Sequence, residues 1–243
     1  VSVYWLERRQ EDVPPVDDWF GPRELLRLRT LKVPHRRADW RLGRWTAKCA
    51  VAAFLNFYPD PGLFRDIEIC AADSGAPRLF IHDNLSDLSL SLSHRSGMSI
   101  CAIADNRARL GCDLEIIEPR SDAFARDYFA AEERSLVENA PEADRSRLLA
   151  LLWSAKESAL KVLEEGLRRD TRSVVVRLHD PQFGGAWNSF QVDCVEGGSF
   201  RGWWQATGSA IRTFVADQFL APPVSMQAPV YVLPDDCSAS RWV

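Results

Sequence analysis

The stretch LSLSLSHRSGMSICAIADNRARLGCDLEII, residues 88–117, decides the fold. Leu88, Leu90 and Leu92 alternate with Ser89, Ser91 and Ser93, a period of two that places one set on each face of a β-strand. His94-Arg95-Ser96-Gly97 supplies a turn, and MSICAIA (98–104) predicts a second strand. Asp105-Asn106 turns again into RLGCDLEII (109–117). The pattern therefore predicts three strands in an antiparallel meander.

Towards the N-terminus, VYWLE reads as a strand ended by Pro14-Pro15. A helix is predicted from Arg37 to Phe57, broken by Tyr58-Pro59-Asp60-Pro61-Gly62. On it Leu42, Trp45, Cys49 and Ala52 recur at helical spacing as a buried face. Arg37, Arg41, Arg44 and Lys48 recur beside them as a basic stripe. Towards the C-terminus a second long helix is predicted from Arg145 to Glu165. Leu148, Leu152, Ala155, Ala159 and Val162 form its apolar side, and Gly166 its stop. Strand-like SVVVRL, SFQVDCV, RGWWQATG and AIRTFVA follow. Helix then meander occurs twice, so the element order predicts an α+β fold of two similar subdomains, residues 1–109 and 110–243. No residue-by-residue repeat accompanies that order.

Composition narrows the function classes. Hydrophobic residues make up 46% and charged residues 26%, a globular balance, with nine tryptophans and twelve phenylalanines to fill a core. The net charge of −4 argues against a nucleic-acid protein, whose footprint is basic. No run approaches the ~20 apolar residues that span a bilayer. The six cysteines show no CxxC pair and no metal-ligand spacing. VSVYWLERRQEDVP lacks a basic segment followed by an apolar one. The expectation is a soluble, cytoplasmic chain with reduced thiols.

Three segments carry polar chemistry. In Gly111-Cys112-Asp113-Leu114-Glu115 the two carboxylates share one strand face, where they repel unless a cation lies between them. Mg²⁺ favours one or two carboxylates plus phosphate oxygens. In Trp153-Ser154-Ala155-Lys156-Glu157, continuing to Lys161, Glu157 and Lys161 are helical neighbours, and a carboxylate between lysines suits a metal–diphosphate site. In Ser91-Leu92-Ser93-His94-Arg95-Ser96-Gly97 a histidine ends a strand in a serine- and arginine-rich turn, a place for a phosphate. Taken singly, each reads as ordinary surface: an acidic strand face, an ion pair contributing about 0.2–0.5 kcal/mol, and a locally satisfied histidine.

In combination and order, SLSHRSG, GCDLE and WSAKESALK resemble the motif series of the Sfp-type 4′-phosphopantetheinyl transferases, directly over residues 35 to 165. The resemblance implies two α+β halves about a pseudo-twofold axis with coenzyme A between them. It implies that Asp113, Glu115 and Glu157 hold Mg²⁺ with the coenzyme A diphosphate. Lys156 and Lys161 would lie along that diphosphate, with Lys161 making the direct contact. His94, with Ser93 beside it, would reach the 3′-phosphate, and Arg37, Arg41 and Lys48 the same nucleotide end. Glu157 would act as the base, with Glu133 in YFAAEERSL as another acidic candidate. The acceptor implied is a serine of an apo acyl or peptidyl carrier protein, and the chain would act as a monomer. One departure stands out: family members often carry Gly-Lys-Pro ahead of the histidine motif, whereas this chain reads Gly75-Ala76-Pro77-Arg78. On a strand Arg78 is expected to face away from the missing lysine's side. That gap is the support for a second reading, a coenzyme A- or carrier-binding regulator without turnover.

Overall fold

The computed structural model describes residues 1–227 apart from 58–60, 106–107, 165–168, 180, 182, 196–197 and 219–220. The predicted breaker at 58–60, the Asn106 turn, the Gly166 stop and Cys237 lie outside the described residues. Within them the chain is α+β. In one sheet β1 (Tyr4–Arg9) lies antiparallel to β6 (Met98–Ala104), which pairs in turn with β5 (Ser89–Arg95). A short β12 (Val224–Ser225) adds to β1 in parallel. A second, five-stranded sheet runs β7 (Leu110–Ile116), β11 (Ala210–Ala216), β10 (Ser199–Thr207), β9 (Asn188–Cys194), β8 (Val174–Leu178). A small third sheet holds β2 (Ile67–Ala71), β3 (Pro77–Ile81) and β4 (Asn84–Leu85).

The predicted hairpin at 88–104 forms, but the third strand does not join it: β7 pairs with β11. The reason is edge occupancy. Both edges of β6 are taken, by β1 and β5, so the next strand crosses to another sheet. The serine face of β5 is also not a solvent face. Ser91 and Ser93 are 2% and 8% exposed because β7 packs over them.

Each main sheet carries one long helix. α2 (Pro34–Phe54) starts three residues before the predicted boundary, with proline in the first turn where its missing N–H costs nothing. Trp45, Ala52, Leu6 and Ile103 fill the core beneath it. α6 (Glu142–Leu163) buries Leu152, Ala155 and Ala159 against Val176, Val192 and Ile211. After α6, Glu164 takes the left-handed conformation at φ 57°. A third apolar cluster, with Ile100, Ala102, Cys112, Leu114 and Phe214, locks the two sheets together.

One device recurs in both regions. In α1 (Pro22–Thr30) the buried Glu24 accepts from the N–H groups of Gly21 and Ile69 and pairs with Lys48 of α2 at 2.5 Å. Lys48 also donates to the carbonyls of Trp19 and Phe64. In α5 (Ala131–Asn139) the buried Glu133 accepts from Ala130 and Val176 and pairs with Lys156 of α6 at 2.7 Å. Lys156 also donates to the carbonyls of Thr171 and Val174. Burial raises both glutamates and lowers both lysines, and each partner pulls the other back. These pairs tie a short helix, a long helix and the following strand into one unit.

Candidate active site

Gly111 lets β7 approach α6 closely. A Cβ there would sit 1.8 Å from the Ser158 carbonyl oxygen. That contact brings the β7 carboxylates to Glu157 and Lys161 on the helix above. Asp113 is 5% exposed; its Oδ1 accepts from Ser93 Oγ at 2.8 Å and from Lys161 Nζ at 2.9 Å. Its Oδ2 is buried without a hydrogen-bond partner. Glu115 accepts from Arg120 at 2.9 Å, with Arg95 at 3.7 Å. Burial and then Asp113 raise the Glu115 pKa, while Arg95 and Arg120 pull it down.

Of the two glutamates, Glu157 is the more strongly perturbed. Burial and the charge of Asp113 push it up to about 7, with Lys161 opposing and Glu115 adding to the rise. Lys161 itself is depressed by burial, but Asp113, the strongest of the opposing influences, leaves it above its ordinary value. Three carboxylates therefore feel one another across β7 and α6. Among the described residues no three His, Cys, Asp or Glu side chains are already gathered around one point. The donor set nonetheless fits a hard dication: all-oxygen ligands, mutual repulsion, and a buried carboxylate oxygen lacking a partner.

Beside this cluster opens a cleft of about 920 Å³. Glu157 and Lys161 of α6 and Glu164 just after it line the cleft, as does His94, exposed at the end of β5. Arg36, Asp39 and Arg44 line it from α2, and Arg78 from β3. Neither Arg36 nor Arg78 has a carboxylate partner among the described residues. Arg44 lies over the Trp40 ring with its Nε buried and unpaired.

Several expected contacts are not made by the residues first assigned to them. Arg37 pairs with Asp17 and donates to the Leu28 carbonyl. Arg41 pairs with Asp17 and the Pro14 carbonyl. Lys48 is fully buried against Glu24. None of the three lines the cleft, which corrects their assignment to the nucleotide end. Of the basic stripe on α2 only Arg44 lines the cleft, joined there by Arg36 and Asp39 from the adjacent face. Lys156 is likewise corrected, because its ammonium is 0% exposed and spent on Glu133 and two carbonyls. Glu133, bound by Lys156 and two backbone N–H groups, is a scaffold residue and not a free base. Asp113, Glu115, Glu157, Lys161, Ser93 and His94 do come together. Arg120, Arg36 and Arg78 went unassigned. Arg78 was set aside for facing away, yet it lines the cleft.

Residues 109–200 match the 4′-phosphopantetheinyl transferase superfamily, a span that includes the acidic strand and the lysine-bearing helix. Over 114 residues the chain is 30% identical to 4′-phosphopantetheinyl transferase Sfp of Bacillus subtilis strain 168, covering 47% of this chain and 49% of that protein. Over 96 residues it is 30% identical to a 4′-phosphopantetheinyl transferase of Bacillus subtilis, covering 40% and 42%. The matched region spans about half the length of these curated relatives. No described helix is long and apolar enough to cross a membrane.

Proposed function

We propose, from the premise that this chain belongs to the Sfp-type 4′-phosphopantetheinyl transferase family, that it moves phosphopantetheine from coenzyme A to a carrier-protein serine. The observation that carries the reading is the acidic cluster of Asp113, Glu115 and Glu157 with Lys161, opening onto a cleft lined by Arg36 and Arg78, which have no carboxylate partner among the described residues. In this reading Asp113, Glu115 and Glu157 hold Mg²⁺. The ion, when bound, neutralises charge on the diphosphate oxygens.

The chain's own residues do the rest. Lys161 reaches the diphosphate. His94, Arg36, Arg44 and Arg78 take the nucleotide phosphates, so Arg78 replaces the lysine absent at Ala76. The serine hydroxyl attacks the β-phosphate, its proton passes to Glu157 or a water that residue holds, and 3′,5′-ADP leaves. Catalysis of this kind is chiefly positioning and charge neutralisation. Two halves about a pseudo-twofold axis, divided near residue 110, belong to the same proposal and are supported by the matched Glu24–Lys48 and Glu133–Lys156 pairs.

Incubation with a panel of apo acyl and peptidyl carrier proteins tests it by mass spectrometry. The expected result is a gain of one phosphopantetheine on at least one carrier, dependent on Mg²⁺ and coenzyme A. Binding of coenzyme A with no transfer to any carrier would favour a regulator instead.

A further inference from the structure

The Lys161 ammonium lies 2.9 Å from Asp113 Oδ1 and 2.8 Å from the Cys112 carbonyl oxygen. With Ser93 Oγ also donating to it, Oδ1 already has two donors, while Oδ2 has none. Glu115 is held by Arg120 in the same manner. Asp113 and Glu115 are thus paired with the protein's own cations, and among the described residues no ready-made metal cage exists.

We propose that Lys161 is the resident cation of this cluster, and that a divalent ion enters as Lys161 leaves Asp113. The inference rests on the metal reading above. Two cations on one edge of a carboxylate this buried repel strongly, because little water screens them. Lys161 has a place to go: its side chain is 29% exposed and lines the cleft on a flexible four-carbon stem. An anion in the cleft receives the ammonium there. Anion and metal then favour each other's binding, by the same factor whichever arrives first. Without the anion, the protein binds a divalent ion weakly.

Mn²⁺ alone, with free ion read by electron paramagnetic resonance, is titrated into the wild type, Lys161→Gln and Lys161→Arg. Lys161→Gln keeps a donor for the Cys112 carbonyl but drops the charge, and is expected to bind Mn²⁺ about tenfold more tightly. Lys161→Arg keeps the charge and should stay close to the wild type. Lys161→Met removes the charge with different packing and serves if the glutamine variant fails to fold. Equal or weaker Mn²⁺ binding by the folded neutral variant overturns the proposal. The titration uses neither coenzyme A nor carrier protein. Tighter Mn²⁺ binding by Lys161→Gln, with no transfer by the wild type, therefore counts against the transferase reading alone. Normal transfer without that gain counts against the resident cation alone.

Discussion

Trp45-Thr46-Ala47-Lys48 on α2 and Trp153-Ser154-Ala155-Lys156 on α6 are nearly the same four residues in corresponding places, and they diverge at the next position. In each, the lysine is buried against a glutamate from a short preceding helix. After Lys48 comes Cys49, 4% exposed, its thiol pushed up to about 12 by burial. After Lys156 comes Glu157 on the cleft wall, and Lys161 stands where α2 has Ala53. The buried strut recurs on both long helices; the carboxylate that faces the cleft follows only the second. A buried ion pair serves as a fixed strut in both, and at the same helical position one helix meets core at Cys49 while the other meets the cleft at Glu157.

The comparison is open to attack, most forcefully at the struts. Lys48→Met and Lys156→Met each strand a buried carboxylate, and each should cost about 3–5 kcal/mol in urea denaturation. Losses of several kcal/mol for one and under about 1 kcal/mol for the other would break the equivalence. Gly111→Ala comes next. Its Cβ would collide with the Ser158 backbone, so β7 and α6 must part, at about 1–3 kcal/mol or more, with Mn²⁺ binding lost as well.

Glu157→Gln sharpens the contrast through pH. Glu157 is raised from 4.5 to about 7, so the folded protein holds a proton that the unfolded chain has released. Stability of the chelator-treated protein should therefore fall as pH rises from about 4.5 to about 7, and level off above. The substitution removes that fall and should stabilise the chain at pH 8 by about 1–2 kcal/mol. A thermal-melt series across pH checks it; a destabilised variant at pH 8 contradicts the carboxylate repulsion. The smallest effect concerns the two faces of α2. Arg44→Ala should weaken coenzyme A binding about five- to tenfold in calorimetry, a loss of roughly 1–1.4 kcal/mol. Arg37→Ala, whose guanidinium serves Asp17, should leave it unchanged.

Much of this was legible beforehand, because it depends on neighbours in the chain. Period-two alternation marked β5 and β6, helical spacing marked α2 and α6, and the ordered motifs singled out Asp113, Glu115, Glu157, Lys161 and His94 as candidates. The W-T-A-K and W-S-A-K echo was present too, but four residues in 243 are too short to announce a repeat. Tertiary structure alone decided that β7 leaves the first sheet, since edge occupancy depends on β1, more than ninety residues upstream of β6. It alone separated struts from site as well. Lys48, Lys156 and Glu133 have the composition of active-site residues, and only their burial against distant partners withdraws them. Residue type and spacing determined which side chains were able to carry the chemistry. Which of them remain free to do so depended on contacts between residues far apart in the chain, where pairing and desolvation are settled.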